Sequence, residues 1–302
     1  MSLGSNMTPD TNNWAGTRVA LDFEGATAIV RCFNPDQGLM DEAMEQELLQ
    51  VLHRLAAWPE GRVVIVTGGQ PDVFIRHYDV AVLHARASAM RARGMRFSRE
   101  RLVPRAGIHE VIDAIGRSPL IFIAALNGTA MGGGFELALG CDLRVVQDGD
   151  YALGLPEINL GLLPGAGGTQ TLTALIGESR AMECMLLGRV LAPAQLVALG
   201  LAQACVPDAL AHGRELARQI LLRPARACAH IKTLVRGLRD ESPAQREGLE
   251  RTFFCDCMVD DGAQSLMRDV GAGVRRIEQP PPPSASATDS TDTRAGGPHA
   301  ID

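Results

Sequence analysis

The stretch "LNGTAMGGGFELALGCDL", Leu126 to Leu143, sets three consecutive glycines and a glutamate inside a run that otherwise reads as core. Gly132, Gly133 and Gly134 follow the apolar, strand-like run "PLIFIAAL" and open a helical one. They stand where backbone N–H groups lack intrahelical partners, and where missing Cβ atoms let a ligand approach the chain closely. Three readings stay open for glycines so placed: a tight strand-to-helix turn, a helix packed hard on a sheet, or an anion site. The spacing is not that of a P-loop, which needs lysine followed by serine or threonine, nor that of the dinucleotide-binding glycine pattern.

Glu136 is set among Phe135, Leu137, Ala138 and Leu139, and a buried carboxylate must be paired or protonated. An acid in the first turn also suits the helix dipole. Glu157 repeats the anomaly in "LGLPEINLGLLPG", a lone acid within an apolar loop. Together, two carboxyls in glycine-rich apolar surroundings are the parts for general acid–base chemistry, because burial can raise one pKa above the other. Charge formed on a substrate must also be stabilised. Exposed N–H groups at the Gly132–Gly134 helix start would supply roughly 100- to 1000-fold in rate per donor.

Outward from this stretch the chain reads as α/β. "TRVALDF" and "ATAIVRCF" predict two strands, and Met40, Met44, Leu48, Val51, Leu52 and Leu55 mark one face of a helix before the buried strand "GRVVIVTG". A second unit follows: an arginine-rich segment from Arg86 to Arg105, a helix near Ile108 to Arg117, the strand "PLIFIAAL", the glycine run and a helix, then the strand "DLRVV". Strands alternating with helices predict right-handed crossover units. Beyond about Thr169 the chain reads almost wholly as helices, and "PPPPSASATDSTDTRAGGPHAID" from Pro280 as a disordered tail. The opening "MSLGSNM" resembles an expression leader before an internal start at Met7.

Hydrophobic residues make up 46% of the 302 and charged residues 21%, which excludes a chain disordered throughout. A net charge of −6, with Lys232 the only lysine, argues against nucleic acid or an anionic membrane as partner. Seven scattered cysteines predict reduced core thiols, and no apolar run is long enough to span a bilayer; the expected location is the cytoplasm.

Three long stretches carry a resemblance: "NGTAMGGGFELALGCDLRV", "YALGLPEINLGLLPGAGGTQTLTALIGESRAMECMLLGR" and "ALGLAQACVP". Over about Thr17 to Gly271 the chain resembles the enoyl-CoA hydratase/isomerase (crotonase) superfamily. The resemblance implies an α/β fold, a crotonase-like spiral of ββα repeats with a helical C-terminal trimerisation region. It divides the chain into a leader (1–16), a spiral core (17–205), a helical region (206–276) and a disordered tail (277–302). It implies an acyl-CoA thioester substrate, with coenzyme A part of the substrate and no separate cofactor or metal, and a homotrimer or a hexamer built as a dimer of trimers. Glu136 and Glu157 occupy the two acid positions of the hydratase branch, the first as base toward water, the second as acid toward the α-carbon. The implied oxyanion donors are the backbone N–H groups of Gly133 and Tyr78. Arg76, His77, Gly132, Gly134 and Lys232 are the implied substrate and coenzyme A contacts.

One segment departs from the family. Where members usually read F-S-A-G-x-D, this chain reads "FIRHYD", Phe74 to Asp79. A backbone donor survives side-chain replacement, but His77 at the usual glycine is strained if its φ is positive. Bulky groups here narrow the acyl channel, place an imidazole beside the substrate, or point to solvent. The run "HARASAMRARGMRFSRER" is likewise either a phosphate-binding surface or a solvated helix face.

Overall fold

The computed structural model describes residues 13–35, 37–237 and 241–282. The chain begins with an antiparallel meander, β1 (Trp14–Ala15), β2 (Val19–Glu24) and β3 (Thr27–Cys32). Helix α1 (Glu42–Ala56) starts on Asp41, whose carboxylate accepts the N–H of Met44 at 2.8 Å. It buries Met44, Leu48, Val51 and Leu55 of the face that the three- and four-residue spacing predicts, while Leu52 is half-buried and Met40 is buried ahead of the helix.

After β4 (Val63–Gly68) come β5 (Asp72–Ile75), α2 (Val80–Ala92) and α3 (Gly107–Arg117). The same order of two strands and a helix recurs in β6 (Ile121–Leu126), β7 (Gly128–Met131) and α4 (Gly133–Gly140). Next are β8 (Leu143–Gln147), β9 (Leu153–Gly154), a 3-10 turn over Glu157–Leu160, α5 (Gly168–Ile176) and α6 (Glu178–Leu186). The remainder is β10 (Val190–Leu191), α7 (Pro193–Ala198), β11 (Ala204–Val206), α8 (Ala209–Leu221), α9 (Ala225–Lys232), a π turn over Thr233–Gly237, α10 (Pro243–Met258) and α11 (Asp261–Gly271).

Two sheets result. The larger has the order β1-β2-β3-β4-β6-β8-β11, parallel from β3 onward, and the smaller has the order β10-β9-β7-β5. The first strand of each unit joins the larger sheet and the second joins the smaller one, where β5 and β7 pair in parallel. Asn127 alone separates β6 from β7 and makes that corner: its Oδ1 accepts the N–H of Gly68 at 2.9 Å while its Nδ2 donates to the Gln70 carbonyl at 3.0 Å. One side chain thus fastens both crossings. The backbones come so close there that a Cβ on Gly128 would lie 1.9 Å from the carbonyl carbon of Asp72.

The principal core lies between the sheets and beneath α1, α3 and α4, with Phe74, Phe122, Phe135 and Met40 almost fully enclosed. On the other face of the larger sheet, α8 buries Ala209 and Ala217 against Ile65, Ile123, Ala125 and Val145.

Several details differ from the sequence expectation. The glycine run does not follow "PLIFIAAL" directly, because β7 intervenes. The short strands β5, β7, β9, β10 and β11 and helix α11 carry no clear sequence signal. The expected boundary at residue 205 falls inside β11, and α8 beyond it is still part of the sheet packing. Among the described residues, all seven cysteines are free, and no helix is long and apolar enough to cross a membrane. Residues 1–12 of the expected leader and the bulk of the expected tail lie outside the described residues, whereas residues 13–16 of that leader hold β1, paired with β2.

Candidate active site

Gly132 has φ +50° and ψ −129°, a conformation that residues with a Cβ rarely adopt. Its N–H donates to the Gly154 carbonyl at 3.0 Å and its carbonyl accepts the N–H of Glu136 at 2.8 Å, which starts α4. The N–H of Gly133, first residue of that helix, has no carbonyl a turn back to accept it. Gly134 serves packing: a Cβ there would stand 2.2 Å from the Ile75 carbonyl oxygen, so the helix rests directly on β5.

The loop after β5 comes to the same place. Met40 donates its N–H to the His77 carbonyl at 2.9 Å and accepts the N–H of Asp79 at 2.8 Å, a parallel bridge centred on Tyr78. In that pattern residues 77 and 79 turn toward Met40, and Tyr78 turns its N–H away. Gly133 lies beside it, where a Cβ would be 3.7 Å from Tyr78 Cβ and 3.4 Å from Ile108 Cδ1. Asp79 then caps α2, accepting the N–H groups of Ala81 at 2.8 Å and Val82 at 3.2 Å. Asp72 is the one non-glycine residue with positive φ among the described residues, so His77 occupies the usual glycine position without left-handed strain. Its Nδ1 donates to the Tyr78 carbonyl at 2.8 Å.

Both glutamates are here. Glu136 is buried, and its Oε1 accepts the N–H groups of Ala166 at 2.7 Å and Gly168 at 2.8 Å. Burial raises its pKa, while the two N–H donors and the nearby His109 work against the rise. Glu157 stands at the start of the 3-10 turn across Gly132, with Oε1 3.3 Å from where a Cβ on that glycine would be. Its Oε2 is buried and makes no hydrogen bond. Burial pushes this carboxyl up to about 7, and the charge of Glu136 adds to the rise. Glu136 is therefore the acid with donors to hold an anion, and Glu157 the one whose proton is retained near neutrality.

Not every expected contact reaches this point. Arg76 is exposed on the outer side of the smaller sheet, where it borders a groove with Asp72, Thr129 and Tyr151 and donates from Nε to the Gln37 carbonyl at 3.0 Å. Lys232 is buried. Its Nζ donates to the carbonyls of Ile115 at 2.8 Å and Leu120 at 2.6 Å and pairs with Asp142 at 2.8 Å. All three donors are committed inside the protein, which leaves none for the phosphate contact expected of it. The ammonium instead fastens α9 to the end of α3 and to Asp142, two residues beyond α4. Ala166, Gly168 and His109, which bear on Glu136, carried no individual sequence signal, although "LPGAGGTQ" contains the first two.

Residues 23–268 match the family model described as enoyl-CoA hydratase/isomerase. The fatty acid oxidation complex subunit alpha of Shewanella loihica is 38% identical over 165 residues, 54% of this chain and 22% of that protein. The chain therefore spans less than a quarter of the length of that curated relative. A solved enoyl-CoA hydratase from Geobacillus kaustophilus superposes with a TM-score of 0.77 at 26% identity, covering 89% of this chain and 98% of the other. One from Polaromonas sp. JS666 does so with a TM-score of 0.74 at 26% identity, covering 85% and 97%.

Proposed function

The chain belongs to the enoyl-CoA hydratase/isomerase family, and from that premise we propose that it adds water across the 2,3 double bond of a trans-2-enoyl-CoA to give a 3-hydroxyacyl-CoA. The observation that carries this reading is the unequal pair of carboxyls about Gly132. Glu136 has two N–H donors on one oxygen, and Glu157 has a buried oxygen without a partner and a pKa of about 7.

In this mechanism Glu136 takes a proton from water as the water oxygen bonds to C3. The electron pair of the 2,3 bond moves through C2 onto the thioester oxygen. That oxygen accepts hydrogen bonds from the N–H groups of Tyr78 and Gly133, each such donor being worth roughly 100- to 1000-fold. As the enolate collapses, Glu157 gives its proton to C2. Glu136 ends protonated and Glu157 ionised, and exchange with solvent restores both.

The coenzyme A portion reaches the pocket past His77 and the arginine-rich stretch that begins within α2. The working unit is a homotrimer, or a pair of trimers. This assignment draws on large apolar side chains left exposed: Leu163, Leu186, Val235, Phe254 and Val259 are each more than half accessible in one protomer. The setting is the cytoplasm.

The test is the hydration of crotonyl-CoA and longer enoyl-CoAs, followed as loss of enoyl absorbance, with Glu136→Gln and Glu157→Gln as controls. Wild-type turnover no faster than either control sinks the assignment. Conversion of 3-enoyl-CoA that survives Glu136→Gln moves it to an isomerase, and saturable thioester binding without turnover moves it to a binding protein.

A further inference from the structure

Among the described residues, two buried side-chain polar atoms lack a hydrogen bond: Glu157 Oε2 and the hydroxyl of Tyr78. A buried polar atom without a partner costs about 1–3 kcal/mol and calls for an explanation. The mechanism explains the first. It uses only the backbone of Tyr78, so the second is unaccounted for.

The surroundings of that hydroxyl are specific. Glu45, on the inner face of α1, is 6% exposed, a rare degree of burial for a glutamate. Its carboxylate fills the space at the start of α3, where a Cβ on Gly107 would meet Oε2 at 2.7 Å. The residue preceding α3, Ala106, has no side chain able to cap it, so the N-terminal N–H groups of α3 face this acid. The Tyr78 hydroxyl lies beside the same carboxylate, and Arg86 of α2, paired with Glu42 of α1, closes the other side. Burial and the charge of Glu45 raise the phenol to about 12, so it remains a donor across the working range. Ile108 follows Gly107 directly and packs against the position of Gly133. Glu45 thus touches the helix bearing on one proposed donor residue and adjoins the side chain of the other.

We propose that Glu45 is a positioning residue for the oxyanion hole: with acyl-CoA bound, its carboxylate accepts the Tyr78 phenol and so holds the Tyr78 backbone N–H at its working distance from Gly133. The hydroxyl lies beside that carboxylate without a hydrogen bond, and the bond closes around the substrate, as catalytic contacts commonly tighten in the complex. This device stands in for the glycine-containing loop that other members have and "FIRHYD" lacks. It rests on the oxyanion assignment made above.

The test uses the full chain, with Tyr78→Phe, which removes only the hydroxyl, Glu45→Gln, and the double variant. A chromophoric cinnamoyl-CoA reports the hole without turnover, because N–H donors that polarise its carbonyl move its absorbance to longer wavelength. The wild type is expected to show that shift and each variant to lose most of it. With crotonyl-CoA, kcat should fall about tenfold to a hundredfold at nearly constant KM, the scale of a donor misplaced by a fraction of an ångström. The double variant should be no worse than the worse single one, since both changes break one bond. A wild-type shift that Tyr78→Phe retains overturns this proposal alone, as do additive losses in kcat. No shift in the wild type overturns the oxyanion assignment and this proposal with it. If Glu45→Gln does not fold, Tyr78→Phe decides.

Discussion

The pKa of Glu157 makes a quantitative demand on the pH dependence of hydration. An acid that donates to C2 must carry its proton when substrate binds. With the ordinary value of 4.5 only about 0.3% of this group would be protonated at pH 7, whereas a value of about 7 protonates about half, a gain of roughly 150-fold. Above that value the protonated fraction falls about tenfold per pH unit. The assay is kcat/KM for crotonyl-CoA between pH 5 and 9, by initial rates of loss of enoyl absorbance. The expected profile descends as one proton is lost, with its midpoint near pH 7. Because the charge of Glu136 adds to the rise at Glu157, the midpoint belongs to the Glu136–Glu157 pair. Glu157→Gln should lose about 100- to 10,000-fold in rate, and the descending limb with it. Stability should follow the same group. Its folded pKa lies above the unfolded value, so the contribution to stability is whole below about 4.5 and lost as pH rises through about 7. Heat resistance should decline over that window, and Glu157→Gln should flatten the decline. Wild-type turnover with a level profile from pH 6 to 9 would refute the reasoning, as would a Glu157→Gln enzyme of undiminished rate.

Glu136→Gln puts an amide opposite the N–H groups of Ala166 and Gly168 and removes the base; hydration should fall about 100- to 10,000-fold, with KM from initial rates little changed. Gly132→Ala forces a Cβ into a left-handed conformation and within 3.3 Å of Glu157 Oε1. It should cost about 1–3 kcal/mol in denaturant unfolding and lower kcat, and normal values of both would show that the turn relaxes without effect. Lys232→Met strands Asp142 with Arg236 as its remaining cation. The expected loss is about 3 kcal/mol, the lower end for breaking a buried pair, with KM for crotonyl-CoA unchanged. A raised KM at unchanged stability would restore the phosphate role.

The legible parts of the sequence are those where local chemistry and tertiary setting agree. The periodic face of α1, the all-apolar strands of the larger sheet, and Glu136 behind its glycines all fall in this class. What escaped is of two kinds. The strands of the smaller sheet are two to four residues long, too short for an alternating pattern, and β7 follows β6 after a single asparagine, so the pair reads as one strand. The second kind is side-chain direction. The resemblance implies Lys232 and Arg76 at the ligand, yet one is consumed by Asp142 and two carbonyls, and the other borders the groove with Asp72, Thr129 and Tyr151. Nothing in a residue's type tells which way it points. Tyr78 shows the reverse case: its backbone could be assigned from position, whereas the importance of its hydroxyl depends on Glu45, brought close from far along the chain.

The parallel pairing of β5 with β7 has a further consequence. Tyr78 and Gly133 each lie just past the end of one of these strands, so their separation is set by one inter-strand spacing, roughly 4.8 Å, and not by the length of chain between them. For that separation, everything from α2 to the start of α3 is a detour. Residues 93–106, which contain neither helix nor extended strand, are therefore where the chain can be re-engineered without moving the two N–H groups, although the arginines there belong to the proposed coenzyme A path. New termini, an inserted reporter domain or a loop of another length can be placed there while the two N–H groups keep their register.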